Sequence, residues 1–260
     1  MKINIKNGED YSYYTGFFEL DKLTDGLHEN ELTAIGARPG TGKTAFALNI
    51  ATRISKKKKV YFCSLEMSSE QIMQRIIANY CYINTQFLRT GRINQDDMAK
   101  IAKGTDKIID LNLNIDTKTR NIEDLENIAY ALKDKNEIDL LIIDYLTLLK
   151  SKEKYMSREL EVAEISRRLK LLALDLNIPI LVLVQLNRDA ENKVPTMANI
   201  RESGSIEQNC DNIIFLHNSS DEKRVVETID VILEKQRQGT TGKIQLNFDK
   251  KYSYFKNIVR

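Results

Sequence analysis

The sequence predicts an α/β fold: a mostly parallel central sheet with helices on both of its faces. Three observations predict it. Strand-like and helix-like segments alternate along most of the 260 residues, and repeated βα units of this length set successive strands parallel under crossover helices. DLLIIDYLTLL (Asp139–Leu149) and IPILVLVQL (Ile178–Leu186) are nearly unbroken apolar runs, as expected for strands covered on both faces. Finally, ARPGTGKT (Ala37–Thr44) joins a short apolar strand to a helical run.

Taken in order, LTAIGA (Leu32–Ala37) reads as a strand and Lys43–Ser55 as a helix. The loop between them turns successive backbone N–H groups inward to cradle phosphate oxygens, and the helix adds its positive end. That cradle comprises Arg38, Pro39, Gly40, Thr41, Gly42, Lys43, Thr44 and Ala45. Lys43 would reach the β- and γ-phosphates of ATP, and the Thr44 hydroxyl would ligate Mg²⁺. The pattern G-x-x-x-x-G-K-[ST] is met except at its first glycine, which is Ala37 here. The plain alternative is a glycine-rich βα turn with an ordinary surface lysine.

VYFCSL (Val60–Leu65) is β-branched and aromatic, hence a strand. In SSEQIMQRIIANY, Ile72, Ile76, Ile77 and Tyr80 fall at helical spacing, with Ser68 or Ser69 as N-cap. LNLNID (Leu111–Asp116) alternates as a strand, and Asn121 can cap a helix carrying Ile122, Leu125, Ile128 and Leu132. After the run ending at Leu149, a long helix extends from Arg158 to Leu176, with Val162, Ile165, Leu169, Leu172 and Leu176 as one buried stripe. Asn177 and Pro179 end it. Further strands are expected at NIIFLH (Asn212–His217), VETIDVILEK (Val226–Lys235) and KIQLNFD (Lys243–Asp249). Two polar segments, Lys150–Ser157 and Asp189–Asn199, follow the carboxyl ends of central strands. Ligands collect at that edge of open α/β sheets, although solvent loops also lie there.

Composition narrows the function classes. Lys and Arg number 39 against 37 Asp and Glu, a net charge of +2, which excludes a wholesale basic coat for nucleic acid; such contacts must come from local loops. Cys63, Cys81 and Cys210 show no metal-ligand spacing and are odd in number, so a reducing, cytoplasmic setting without disulfides is expected. No run approaches the ~18 apolar residues of a membrane span, and MKINIKNGED lacks a signal-peptide core. The lysine run Lys56–Lys59 reads as a solvated helix end that complements the helix dipole.

ATP hydrolysis needs an acid for the Mg²⁺ shell, a base to orient water, a sensor of the γ-phosphate and cations for the spreading charge. Asp144 ends the apolar run LLIID and would emerge beside the phosphate loop; a strand-terminating aspartate is the simpler alternative. Glu66, just past VYFCSL, would point at the same edge and could polarise the attacking water. Gln185 closes ILVLVQ, where a buried amide requires a partner such as a phosphate oxygen or the lytic water.

SLEM (Ser64–Met67), IIDYL (Ile142–Leu146), VQLNR (Val184–Arg188), RESGSIEQ (Arg201–Gln208) and KQRQGTTG (Lys235–Gly242) resemble, in order and spacing, the motifs of the DnaB family of replicative helicases. ARPGTGKT with its leading alanine, and TGFFELDKLTDGL (Thr15–Leu27), are similar to that family too. The resemblance covers the chain from about residue 15 onward and implies a RecA-like P-loop NTPase with antiparallel strands at the C-terminal edge of the sheet. It implies Glu66 as catalytic base, Asp144 as the Mg²⁺-organising acid, and Gln185 as the link between the γ-phosphate and DNA loops. Lys235 and Arg237 would act in trans on ATP held by a neighbouring subunit; without the family they could be edge charges. Arg201, Glu202 and Gly204 would lie on a pore loop gripping single-stranded DNA, with Lys193 as a further cation; otherwise RESGS reads as a turn.

The same resemblance implies a homo-oligomer, a hexameric ring or spiral, and a primase or helicase loader as partner. Residues 1–14 would be a tail or linker remnant and 15–260 the ATPase domain. Relatives carry an N-terminal helical domain ahead of this region, so a chain of this extent is expected to assemble weakly. Two rivals remain at this stage. One is a RecA-, RadA- or KaiC-like ATPase, which shares the phosphate loop but not RESGSIEQ and KQRQGTTG. The other is a low-turnover nucleotide-binding module.

Overall fold

A computed structural model describes residues 13–190, 193–200, 203–218 and 225–258. Nine strands form one sheet, and its order sets the site. β1 (Leu32–Ala37), β2 (Val60–Ser64), β3 (Leu113–Asp116), β4 (Leu140–Asp144), β5 (Ile180–Gln185) and β6 (Asn212–His217) are parallel. β7 (Val226–Gln236), β8 (Gly242–Asp249) and β9 (Tyr254–Asn257) continue the sheet antiparallel. The order is β3-β2-β4-β5-β1-β6-β7-β8-β9. The carboxyl ends of β1, β2, β4 and β5 therefore share one edge, with β1 central.

Every residue of β1, β2 and β4 is buried, which is why their sequences are apolar rather than alternating. One face is covered by α6 (Ile122–Asp134), α7 (Arg158–Leu176) and α8 (Ser203–Asn209). The stripe Val162, Ile165, Leu169, Leu172 and Leu176 of α7 is buried there, as its spacing predicts. The other face is covered by α1 (Phe18–Thr24), α2 (Lys43–Ile54) and α3 (Ser69–Cys81). There Phe17 stacks on Phe46, with ring centroids 4.8 Å apart, and Phe255 meets Phe46 edge-on at 5.2 Å. Cys63, Cys81 and Cys210 are buried and unpaired.

Ser68 is the N-cap of α3, and its hydroxyl accepts from the Gln71 N–H while the Gln71 side chain returns a bond. Four expectations need correction. The apolar run 139–149 is strand only to Asp144; Leu146–Leu148 is a single 3₁₀ turn. The strand expected at LNLNID begins at Leu113. Asn121 occupies the N-cap of α6, but its amide donates to Asp124 instead of its oxygen capping the helix. RESGS is not a turn throughout: α8 starts at Ser203 and anchors through buried Ile206 against α7. Two further helices, α4 (Thr85–Thr90) and α5 (Gln95–Ile109), fill the stretch between α3 and β3.

Candidate nucleotide-binding site

The loop after β1 leaves the sheet with Gly40 at φ +83° and Gly42 at φ +98°, left-handed values that favour glycine. Gly42 is constrained twice over, because a Cβ there would lie 2.7 Å from the Phe248 ring of β8. The loop therefore packs directly against the antiparallel strands. A cavity of about 860 Å³ opens at this edge. Arg38, Pro39, Gly40, Gly42, Lys43, Thr44 and Ala45 line it, as do Glu66 and Gln185. Thr41 does not; it is buried, and its N–H donates to the Arg38 carbonyl within the turn.

Asp144 lies beneath the cavity, fully buried, and its Oδ2 accepts from the Thr44 hydroxyl at 2.7 Å. Its Oδ1 is buried without a hydrogen-bond partner among the described residues. Burial raises the Asp144 pKa, with the charge of Lys43 and the Thr44 bond opposing the shift. Burial lowers the pKa of Lys43, opposed by Asp144 and Glu66. The Lys43 ammonium lies 4.5 Å from the centre of the Tyr145 ring. Gln185 is beside the loop because it pairs with Ala37 in the parallel register, and Glu66 is exposed at the cavity mouth. The edge thus gathers Lys43, Thr44, Glu66, Asp144 and Gln185 from four separate strand ends. Arg38 turns across it to donate to the Leu186 carbonyl at 2.9 Å.

The orphan Oδ1 bears on whether Mg²⁺ fits. Among the described residues no group of three or more His, Cys, Asp or Glu side chains is placed to hold a metal. Mg²⁺, however, commonly takes one or two carboxylates, phosphate oxygens and water. Asp144 would supply a carboxylate to such a set and Thr44 a hydroxyl beside it, so the residues present fit the ion, and the unpartnered Oδ1 is an acceptor left over for it.

Lys235 and Arg237 lie at the other end of the sheet. Lys235 is opposite Ile213 and Gln236 opposite Asn212, which itself pairs with Thr33 near the start of β1. β1 alone spans about 20 Å at ~3.3 Å per residue, so neither side chain reaches this cavity within one chain. Lys235 Nζ donates to the carbonyls of Glu207 and Cys210, the latter at 2.8 Å, at the C-terminal end of α8. Arg237 donates to Asp211 Oδ1 at 3.0 Å. Gly204 is exposed in the first turn of α8. Arg201 and Glu202 lie outside the described residues.

Reading the sequence missed one wall of the cavity. Gln71, Gln74 and Arg75 of α3, Thr85, Gln86 and Arg89 of α4, and Phe248, Lys250 and Ser253 also line it. The available signal was the polar set 71, 74, 75 at i, i+3, i+4, interleaved with the Ile72–Ile76 stripe just after Glu66.

A mostly parallel sheet with a phosphate loop after its central strand, and acidic side chains on neighbouring strand ends, defines a RecA-like P-loop protein. The model of the DnaB-like helicase C terminal domain matches residues 13–257, and the chain belongs to that family. It is 39% identical to the replicative DNA helicase DnaB of Geobacillus stearothermophilus, over 98% of this chain and 58% of that one. To the replicative DNA helicase DnaC of Bacillus subtilis (strain 168) it is 37% identical, over 100% and 59%. It therefore spans less than two thirds of the length of these relatives. The solved ATPase domain of G40P superposes with a TM-score of 0.89 at 32% identity, covering 97% of this chain and 93% of that chain. A DnaB-like replicative helicase, solved in a study of its interactions with primase, superposes at 0.90 with 32% identity, covering 99% and 64%.

Proposed function

We propose that this chain is the ATP-hydrolysing motor domain of a replicative helicase, driving translocation on single-stranded DNA and duplex unwinding. The observation that carries this reading is the split of the catalytic groups between the two ends of the sheet. Lys43, Thr44, Glu66, Asp144 and Gln185 surround one cavity, while Lys235 and Arg237 sit about 20 Å away. A copy of the chain placed against that cavity would bring the second set to the first, so hydrolysis belongs to an interface within a hexameric ring or spiral.

In this reading the loop N–H groups and Lys43 hold the phosphates of ATP. Thr44 and Asp144 would hold Mg²⁺, which would supply positive charge to offset that of the phosphates. Glu66 accepts a hydrogen bond from the attacking water, and Gln185 reports the γ-phosphate to the segment that follows β5. Lys235 and Arg237 stabilise charge on the neighbour's ATP. Single-stranded DNA would be gripped by Arg201, Glu202 and Gly204, with Lys193 nearby. Residues 15–260 would form the motor domain and residues 1–14 a tail or linker remnant. A primase or helicase loader would be its partner. No described helix is long and apolar enough to cross a membrane, and action on DNA would place the protein in the cytoplasm.

ATP turnover measured over a range of chain concentrations, with and without single-stranded DNA, tests the proposal. Turnover per chain should rise with concentration and rise again with DNA. Turnover that is flat in both would remove the interfacial motor.

A further inference from the structure

Glu66 can orient an attacking water only if the backbone that carries it is fixed, and that backbone belongs to no helix or strand. β2 ends at Ser64, α3 begins at Ser69 under the Ser68 cap, and residues 65–67 form a bend between them. Glu66, in the middle of the bend, is exposed, so burial does not hold its side chain. The bond that closes the bend comes from Ser64. This side chain is fully buried, and its hydroxyl meets the main chain of Met67 twice. The Met67 N–H donates to Ser64 Oγ at 3.1 Å, and Oγ donates to the Met67 carbonyl, also at 3.1 Å. A serine that bonds the main chain a few residues on is a local turn device. Here its two bonds span Glu66.

The flanks of the bend are anchored by other means. On one side, Ser64 pairs with Asp144 in the parallel register, and the Leu65 N–H donates to the Asp144 carbonyl at 2.6 Å. On the other, the Ser68 N–H is taken up by Gln71 Oε1 at 3.1 Å. Between these anchors the Ser64 hydroxyl is what holds Met67, and with it the path of the chain through Glu66. Without the hydroxyl, the N–H and carbonyl of half-buried Met67 would lose their partner. Ser64 does not line the cavity, so it acts on a bound nucleotide only through its neighbours. We infer that Ser64 is a positioning residue for hydrolysis: its buried hydroxyl closes the bend 65–67 and so holds the Glu66 carboxylate where the attacking water meets it. This rests on Glu66 being the base in the proposed function.

The test is a double-mutant cycle in ATP turnover: wild type, Ser64→Ala, Glu66→Gln and the two together. Chain and single-stranded DNA are held at concentrations that saturate wild-type turnover, and ATP affinity is measured alongside. Ser64→Ala should lower kcat about tenfold to a hundredfold, the cost of a displaced catalytic group, with KM and ATP affinity within about twofold of wild type. In the Glu66→Gln background the same substitution should change kcat by less than about twofold, because the group it positions is already gone. Ser64→Thr keeps the hydroxyl at a strand position that suits a β-branched residue, and should recover most of the loss. Unchanged kcat in Ser64→Ala would overturn the inference. So would an equal loss in both backgrounds, which would mean a structural role felt across the domain. Should Ser64→Ala fail to fold by circular dichroism, Ser64→Cys, close in size but a weak hydrogen-bond partner, runs the same cycle. Full turnover by Glu66→Gln, or none by wild type, would instead overturn the proposed function, and the inference with it.

Discussion

At the end of the sheet away from the phosphate loop, Asp211 is nearly fully buried and fully engaged. Its Oδ2 accepts from the Leu32 N–H at 2.9 Å and from Lys170 at 2.6 Å, and its Oδ1 from Arg237 at 3.0 Å. At the loop end, Asp144 is also buried, yet it holds one hydroxyl and leaves Oδ1 unmet, while Arg75 lies nearby without a partner among the described residues. Both ends bury charge, but only at the first are both carboxylate oxygens hydrogen-bonded within the chain. A satisfied cluster stabilises the fold as it stands, whereas an unsatisfied one is completed by what binds. The difference separates residues that hold the sheet together from residues held ready for a ligand.

Arg237 belongs to both categories, and removing it gives the largest expected effect. Its side chain is 52% exposed, and Asp211 would retain Lys170 and the Leu32 N–H without it. Arg237→Ala should therefore cost at most about 1 kcal/mol of stability. Turnover at concentrations where the wild type assembles should fall by about 10³ or more, the scale of an arginine supplied in trans. Nucleotide binding by the isolated chain should not change. Doping wild type with this variant checks the geometry: activity should drop faster than the wild-type fraction, and a strictly proportional drop would count against shared sites.

Glu66→Gln follows at the loop end. The side chain keeps its shape and exposure but cannot take a proton, so turnover should fall by about 10²–10⁴ with ATP binding retained. Single-turnover hydrolysis alongside a binding isotherm separates the two. Equal turnover would remove Glu66 from the mechanism.

Much of this site was legible in the sequence because its residues sit at strand ends, and buried strands are easily read. NIIFLH and the helix Arg158–Leu176 coincide with β6 and α7, since burial on a regular period leaves an apolar signature. Where that link fails, so does the reading. In α5 the inward row is Asp97, Ile101, Gly104 and Ile108, so a polar residue and a glycine interrupt the apolar signature. α4 buries none. In RESGS the glycine and serines suggest a turn, but packing of Ile206 against α7 prevails over their weak preference. Arg75 went unread for a related reason: an arginine on an amphipathic helix looks like surface until the helix is seen to wall a cavity. Conversely, Thr41 belongs to the loop pattern yet is buried and does not line the cavity, a detail of backbone turning that the motif does not encode.

The comparison is sharpened by removing one charge from each end. Asp211→Asn keeps the shape of a buried carboxylate that two cations and an N–H rely on, and should cost about 3 kcal/mol. Asp144→Asn should leave stability unchanged or raise it, while abolishing Mg²⁺-dependent tightening of ATP binding. The sign follows from the pKa shift. Burial raises the folded-state value of Asp144 above its ordinary 3.8, so its ionised form disfavours the folded state. That penalty is fully present above the raised value, shrinks as pH falls through it, and is gone below the unfolded value. Thermal melts of wild type and Asp144→Asn should thus differ most near neutral pH and converge on acidification. Divergence on acidification would mean the carboxylate is stabilised after all.

The smallest effect concerns how the Arg75 wall is held. Ser68 and Gln71 close the first turn of α3 with two reciprocal bonds, Gln71 N–H to the Ser68 hydroxyl at 3.3 Å and Ser68 N–H to Gln71 Oε1 at 3.1 Å. Ser68→Ala leaves one of those donors to water and should cost about 1 kcal/mol. Because the cap lies two residues after Glu66, fraying there would loosen the base and the α3 wall together, although neither is substituted. The expected result is a melting temperature lower by a few degrees and a modest rise in the KM for ATP with kcat nearly kept. A lowered kcat with KM unchanged would show that the cap holds Glu66 in its reacting position rather than holding the wall that receives the nucleotide.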